Sequence, residues 1–278
     1  MNKIKVGIIG AGLMGKIHFE TLRKLKEVII VGICDKEKNR AEKITSGGDY
    51  QYFRDYTDLL NTDVDAIWVC TPDFTHTEIC LKVLAAKKHL FVEKMLARTV
   101  SEGKKLVEAA KREKGIKTMV GFPLRFDPYY ATIKDFLASK DIGKPLMVWS
   151  TRSQFVTDST LIYDRYRDEY CCPPSWYFNR KKSGGPIFSF ASHDYDLLQW
   201  YAGKIDTVFS YGDRYLNNGD VTDGYIVGCK FKSGATGYIS TTWISRINFN
   251  YVGVTTEKAT ILYLDDKIVA KIEEKPKY

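Results

Sequence analysis

The sequence predicts an α/β protein, with an N-terminal doubly wound parallel sheet joined to a C-terminal α+β domain whose open sheet is mainly antiparallel. Three observations carry this expectation. A glycine-rich turn stands between a β-branched run and a helical pattern near the start. Strand-like and helix-like segments then alternate to about residue 122. Beyond Gly203, strand-like runs follow one another.

The elements follow in order. KIKVGIIGAGLMGKIHFETLRKL passes from strand through turn to helix, with Ile17, Leu22 and Leu25 available for an inner face. VIIVGICD (28–35) is a second strand ending in an acid, and DAIWVCTP (65–72) a third ending in a proline turn. A helix over 75–86, the strand HLFVEK (89–94), a helix over 99–114 and the strand KTMVGF (117–122) complete the alternation. Such alternation implies a parallel sheet covered on both faces. The texture changes after Pro123, which sets domains at 1–122 and 123–278. In the second, TVFSYGDRY, DGYIVGCKF, ATGYISTTW and NFNYVGVTT read as successive strands. Residues 152–182 show no clear period and read as a long loop covering a site.

Composition narrows the class. A hydrophobic fraction of 44% is ordinary for a soluble globular protein, and no apolar run approaches the roughly 18 residues of a membrane span. With no signal-peptide pattern after MNKIK, the expected location is the cytoplasm. The net charge of +8 is concentrated in the first domain, in mixed-charge stretches such as AAKREKG (109–115). These are solvated helix faces rather than a nucleic-acid patch, with some attraction for an anionic cofactor. The six cysteines show neither a C-x-x-C pair nor metal-ligand spacing, so no metal is expected; Cys171 and Cys172 form a vicinal pair read as unremarkable loop thiols.

GAGLMG at 10–15 is a G-x-G-x-x-G that follows a strand and opens a helix. Gly10 permits the tight turn, Gly12 lets backbone approach a pyrophosphate and Gly15 lets helix pack on strand, with Leu13 and Met14 beside the cofactor at the helix start. Asp35, 20 residues after Gly15 at a strand end, can accept hydrogen bonds from adenosine ribose hydroxyls. This is the Rossmann arrangement, and an acid there favours NAD. Lys36 and Arg40 stand close enough to keep NADP as an alternative. Thr71 and Pro72 fall at the carboxyl edge of the third strand, where ligands of doubly wound folds bind. His76, near a helix start, is assigned a cofactor contact, in even competition with capping or a solvent-facing place. Glu93 and Lys94 end the fourth strand at the same edge, where the lysine ammonium would lie near the nicotinamide and stabilise a substrate oxygen.

GIIGAGLMGKIH, WVCTPDFTH, FVEKMLART, VGFPLRFDP and SGGPIFSFASHDYDLLQWYAG together resemble the successive signatures of the glucose-fructose oxidoreductase, inositol dehydrogenase and MocA-like (Gfo/Idh/MocA) dehydrogenases. The resemblance implies an NAD(P)-binding Rossmann domain and a C-terminal domain whose open sheet often mediates homo-oligomerisation. It implies a sugar, inositol or related polyol as substrate, bound between the domains. It also implies catalytic roles for Lys94, which holds the substrate oxygen, and for His193, which moves the hydroxyl proton.

The chain departs from the family pattern at Met95, where proline usually follows the lysine, and at Leu124, which cannot donate to a substrate hydroxyl. Arg125 remains, as a substrate contact or a structural ion-pair residue. Pro186 and Gly203 bracket an expected helix over 187–202 that stacks Ser189 on His193 at i and i+4. Many relatives have an orienting aspartate where Ser189 stands. Asp196, at i+3 from His193, is a possible substitute or a structural partner, and Asp194 is expected to point away. Trp176 is placed at the substrate pocket, with aromatic packing as the competing reading. The sequence ends at KPKY where relatives continue into a further helix, so the chain is either naturally short there or incomplete. Two functions are carried forward: an NAD(P)-dependent oxidoreductase, and a catalytically weakened cofactor-binding regulator or scaffold of the same fold.

Overall fold

A computed structural model describes residues 3–45, 48, 50–138, 141–156, 162–164, 169–171, 174–264 and 266–272. Contacts divide the chain into two compact units, Met1–Gly121 with Tyr163–Glu169, and Phe122–Ile162 with Tyr170–Tyr278.

The first unit runs β1 (Ile4–Ile9), α1 (Leu13–Leu22), β2 (Val28–Cys34), α2 (Lys38–Thr45), β3 (Gln51–Phe53), α3 (Tyr56–Leu60), β4 (Ala66–Val69), α4 (His76–Ala85), β5 (His89–Glu93), α5 (Val100–Arg112) and β6 (Thr118–Gly121). The six strands pair in parallel in the order β3-β2-β1-β4-β5-β6. The chain moves outward from β1 to β3, then returns to lay β4 on the other side of β1, which makes the β1/β4 edge a topological switch point. Both faces are covered. Val6, Ile8 and Ile33 pack with Phe19 and Leu22 of α1 and Ala41 and Ile44 of α2. Ile9, Ile67 and Val69 pack with Leu59, Ile79, Val83, Leu84 and Leu106 from α3, α4 and α5. This two-sided burial is why β1, β2 and β4 read as nearly continuous apolar runs rather than as alternating ones. Helix α5 starts where it does because Thr99 and Glu102 form a reciprocal capping box.

The second unit contains α6 (Pro128–Ala138), β7 (Pro145–Phe155), a two-stranded ribbon of β8 (Ile162–Asp164) and β9 (Glu169–Cys171), α7 (Pro186–Ser189), α8 (Ser192–Ala202), β10 (Ile205–Asp213), β11 (Gly224–Phe231), β12 (Thr236–Thr242), β13 (Ile244–Thr256), β14 (Ala259–Leu264) and β15 (Lys267–Ile272). The large sheet has the order β10-β11-β12-β7-β13-β14-β15, antiparallel except for the β12–β7 pair. Helices α6 and α8 cover one face through Ile133, Leu197 and Leu198, against Val148, Ile239, Val252 and Ile261.

Two expectations are corrected. The stretch taken as a loop from residue 152 begins inside β7, a central strand of the large sheet; its polar inward residues Ser150 and Arg152 are buried by long-range partners, which erases the alternating signal. The helix expected over 187–202 is broken into α7 and α8, because the Ala191 N–H reaches back to the Pro186 carbonyl and a new helix begins from the Ala191 carbonyl. Cys172 lies outside the described residues, and with it the vicinal cysteine pair.

Candidate cofactor edge and acid-base site

The glycine turn of the first unit meets each steric demand of a dinucleotide cradle. Gly10 has φ of +100°, and a Cβ there would stand 2.6 Å from the Cys70 carbonyl oxygen. A Cβ on Gly15 would fall 1.9 Å from the Gly10 oxygen, so only glycine lets α1 sit this close to the end of β1. Gly12 is the opposite case: nothing lies within 4 Å of its Cβ position, which leaves its backbone open to a ligand. It is the N-cap of α1, makes no side-chain cap, and no acidic residue follows in the first turn. The N–H groups of that turn are therefore suited to a pyrophosphate. Leu13 and Met14, both half-buried, start the helix.

Asp35 follows β2 and braces this turn. One carboxylate oxygen accepts from Ala11 N at 2.8 Å and the other from Glu37 N at 2.9 Å. Each oxygen keeps a second lone pair, enough for ribose hydroxyls. Lys36 is exposed, and Arg40 is paired with Glu37 at 3.0 Å. An acidic rim of this kind suits NAD better than a 2′-phosphate.

Thr71 and Pro72 follow β4 at the same edge, where Thr75 Oγ1 donates within a 2.7 Å contact to Thr71 Oγ1 and also reaches the Pro72 carbonyl. His76 is fully buried, its ring nitrogens 2.8 Å and 2.7 Å from the carbonyl oxygens of Thr71 and Met95. That replaces the solvent-facing and capping alternatives with an internal brace and removes its side chain from direct reach of a cofactor. Glu93 is buried and contacts His18 Nε2 at 2.7 Å, while half-buried Lys94 follows it and joins Met95 through a cis peptide bond. Asp73 is a further buried acid here; burial pushes its carboxyl up, and the charges of Lys94 and His76 oppose that. Neither His18 nor Asp73 stands out in the sequence. His18 is 75 residues from its partner, a separation that no local pattern reports.

In the second unit His193 is the second residue of α8, half-buried, with its ring edge-on to Phe122 at 6.3 Å. Ser189 lies in α7 instead, buried, with Oγ donating to the Gly185 carbonyl at 3.0 Å; the i, i+4 relation fails because the helix is interrupted between them. Asp194 is fully buried, accepting from Ser150 Oγ at 2.6 Å and from the Arg152 guanidinium at 3.2 Å twice. Asp196 holds Arg125 in a bidentate pair, 2.7 Å on each arm, and that hydrogen bond raises the guanidinium further above its ordinary range. Arg125 also lies over Trp200. Trp176 stacks edge-on against Tyr177 at 4.4 Å, beside a cluster of Phe178, Phe190 and Trp243. Among the described residues no group of three or more His, Cys, Asp or Glu side chains could hold a metal.

The first unit is thus a dinucleotide-binding Rossmann domain in its own geometry, and the second a mixed-sheet α+β domain. Comparison with known proteins agrees. Residues 4–122 match the model of the oxidoreductase family with NAD-binding Rossmann fold, and residues 130–262 match the GFO/IDH/MocA C-terminal domain. The chain belongs to the Gfo/Idh/MocA oxidoreductase family. It is 31% identical over 245 residues to scyllo-inositol 2-dehydrogenase (NAD(+)) of Bacillus subtilis, covering 85% of this chain and 66% of that one. It is 29% identical over 243 residues to myo-inositol 2-dehydrogenase of Thermotoga maritima, covering 85% and 67%. The chain spans about two thirds of the length of these relatives. A levoglucosan dehydrogenase solved in complex with NADH shares the fold, with a TM-score of 0.86 at 23% identity over 99% of this chain and 78% of that one.

Proposed function

We propose that the protein is an NAD-dependent dehydrogenase that interconverts a carbinol and a carbonyl on a sugar, an inositol or a related polyol. The observation that carries this is Lys94 at the carboxyl end of β5, in the same sheet whose β1 end carries the open, uncapped glycine turn. The inositol dehydrogenases among the relatives support the substrate class. NADP is the second cofactor, disfavoured by Asp35 and Glu37.

In this reading residues 1–122 hold the cofactor and 123–278 the substrate. Bound NAD supplies the hydride acceptor. His193 takes the proton of the substrate hydroxyl as the carbon is oxidised and returns it in the reverse direction. Lys94 holds the same oxygen and stabilises the charge that develops there. Arg125, Ser189 and Trp176 shape the substrate side through the contacts they make within the second unit rather than by reacting.

Self-association belongs to the same proposal. The sheet face opposite α6 and α8 carries exposed Phe209, Tyr211, Ile226, Leu264 and Val269, with Phe209 lying across Gly228 and Trp149 across Gly253. A second copy covering this flat apolar face would make a homo-oligomer, which light scattering of Ile226→Asp against wild type tests. No helix is long and apolar enough to cross a membrane. Cys34, Cys70, Cys80 and Cys229 are buried free thiols, as a reducing compartment would leave them.

The alternative, a cofactor-binding regulator with weak turnover, draws on one observation: Asp194 and Asp196, the two acids that follow His193, are both committed to arginines. Titration with NAD(H) and NADP(H), then a screen of polyols and sugars with wild type and Lys94→Ala, separates the two. Turnover that falls to a small residual rate in Lys94→Ala supports the dehydrogenase. Tight cofactor binding without turnover across the panel supports the regulator, and absence of cofactor binding removes both.

A further inference from the structure

His76 opens α4 with its ring sealed from solvent between two backbone carbonyls of the first unit. Nδ1 is 2.7 Å from the Met95 oxygen and Nε2 is 2.8 Å from the Thr71 oxygen. A carbonyl oxygen only accepts, whereas a neutral imidazole has one N–H and one bare acceptor nitrogen. In either neutral tautomer, one of the two contacts would set a lone pair against a lone pair at hydrogen-bond distance, in a place where water cannot intervene. A ring protonated on both nitrogens satisfies both oxygens.

The surroundings supply the countercharge. Asp73, which heads the 3₁₀ turn leading into α4, is 7% exposed, and its Oδ2 has no hydrogen-bond partner among the described residues. Glu93 on β5 is a second buried carboxylate, bound to His18. Lys94 and His76 both favour the ionised form of Asp73 and Glu93 opposes it; the N-terminal end of α4 opposes a charged ring at its first residue, and the first-turn acid Glu78 offsets that end. The two tethered carbonyls also have functional addresses. Met95 directly follows Lys94, and Thr71 follows β4 at the ligand edge of the sheet.

We propose that His76 is held as an imidazolium whose two N–H groups pin the Met95 carbonyl to the Thr71 carbonyl, making it a positioning residue for Lys94. The positioning role rests on Lys94 acting in hydride transfer, as proposed above; the state of the ring does not.

The ring state is read directly by a long-range nitrogen–proton correlation spectrum of histidine-labelled protein at neutral pH. The four histidines keep it simple, and loss of signals in His76→Gln assigns the ring. Two protonated nitrogens are expected, and one bare nitrogen overturns the imidazolium. For the role, His76→Gln should lower kcat about tenfold or more with KM for NAD little changed, because a small misplacement of a reacting group is costly. In a Lys94→Ala background the same substitution should lower kcat by less than about twofold, since its effect passes through the lysine. An equal loss in both backgrounds overturns the positioning role. Undiminished turnover in Lys94→Ala overturns the catalytic reading of Lys94 and the positioning role with it, while the ring spectrum decides the imidazolium by itself.

Discussion

In the first unit the glycines that shape the cofactor turn lie within one short stretch, Gly10 to Gly15, whereas in the second unit the charged side chains near His193 in sequence are joined over long stretches of chain. Arg152 and Asp194 are 42 positions apart, and Arg125 and Asp196 are 71 apart. The first arrangement is a matter of backbone sterics and needs almost no side chains. The second depends on side chains that have lost water and found each other. The difference teaches that the two halves should fail differently: the cradle through its ligand, the network through its fold.

The largest expected effect comes from the network. Arg152→Met leaves Asp194 buried without its cation and should destabilise the protein by about 3–5 kcal/mol in urea unfolding. Replacing both members, Arg152→Met with Asp194→Leu, should recover most of that loss, because burial of an ion pair is itself costly. If the double variant were no better than the single one, the pair would be coupled to more than each other.

Next comes a contrast inside the cradle. Gly15→Ala forces a Cβ against the Gly10 carbonyl and should cost about 1–3 kcal/mol, visible as a lower Tm, as well as cofactor binding. Gly12→Ala adds its methyl to open space, so Tm should stay close to wild type while the Kd for NAD rises. A Gly12→Ala protein that binds NAD normally would place the cofactor elsewhere.

A smaller effect is expected at Asp223, whose carboxylate accepts from the backbone N–H groups of Tyr215, Leu216 and Asn217 and from Asn217 Nδ2. Burial pushes this acid up, but the donors together outweigh it, so it titrates below its ordinary value. A depressed acid contributes stability that is present above its unfolded value of about 3.9 and is lost as pH falls through the folded one. Asp223→Asn should therefore lower stability at neutral pH and flatten the acid limb of the stability profile.

The smallest effect is expected at the Arg125–Asp196 pair, whose guanidinium is 42% exposed. Arg125→Ala should change stability by about 0.2–1 kcal/mol. A large loss of turnover with little loss of stability would return Arg125 to direct substrate contact.

What could be read from the sequence follows the same division. Strands β1, β4 and β5 show as apolar runs because both faces are largely buried; β3 has three residues, too few for a period. GAGLMG and Asp35 were legible because their geometry is local. The α7/α8 break was not, since Pro186 and Gly203 mark the outer ends of the segment while the interruption lies in backbone bonds around Ala191. Nor were the roles of Asp194 and His76.

The amino-acid order by itself determined the class of fold, the cofactor turn and the presence of Lys94 and His193, all properties of residue type and short spacing. Only the tertiary structure decided which acids were already committed, that Ser189 and His193 stand on different helices, and that His76 lies between two carbonyls. Those facts depend on which groups meet after water is excluded, and the energy of such meetings is set by partners that sequence distance conceals.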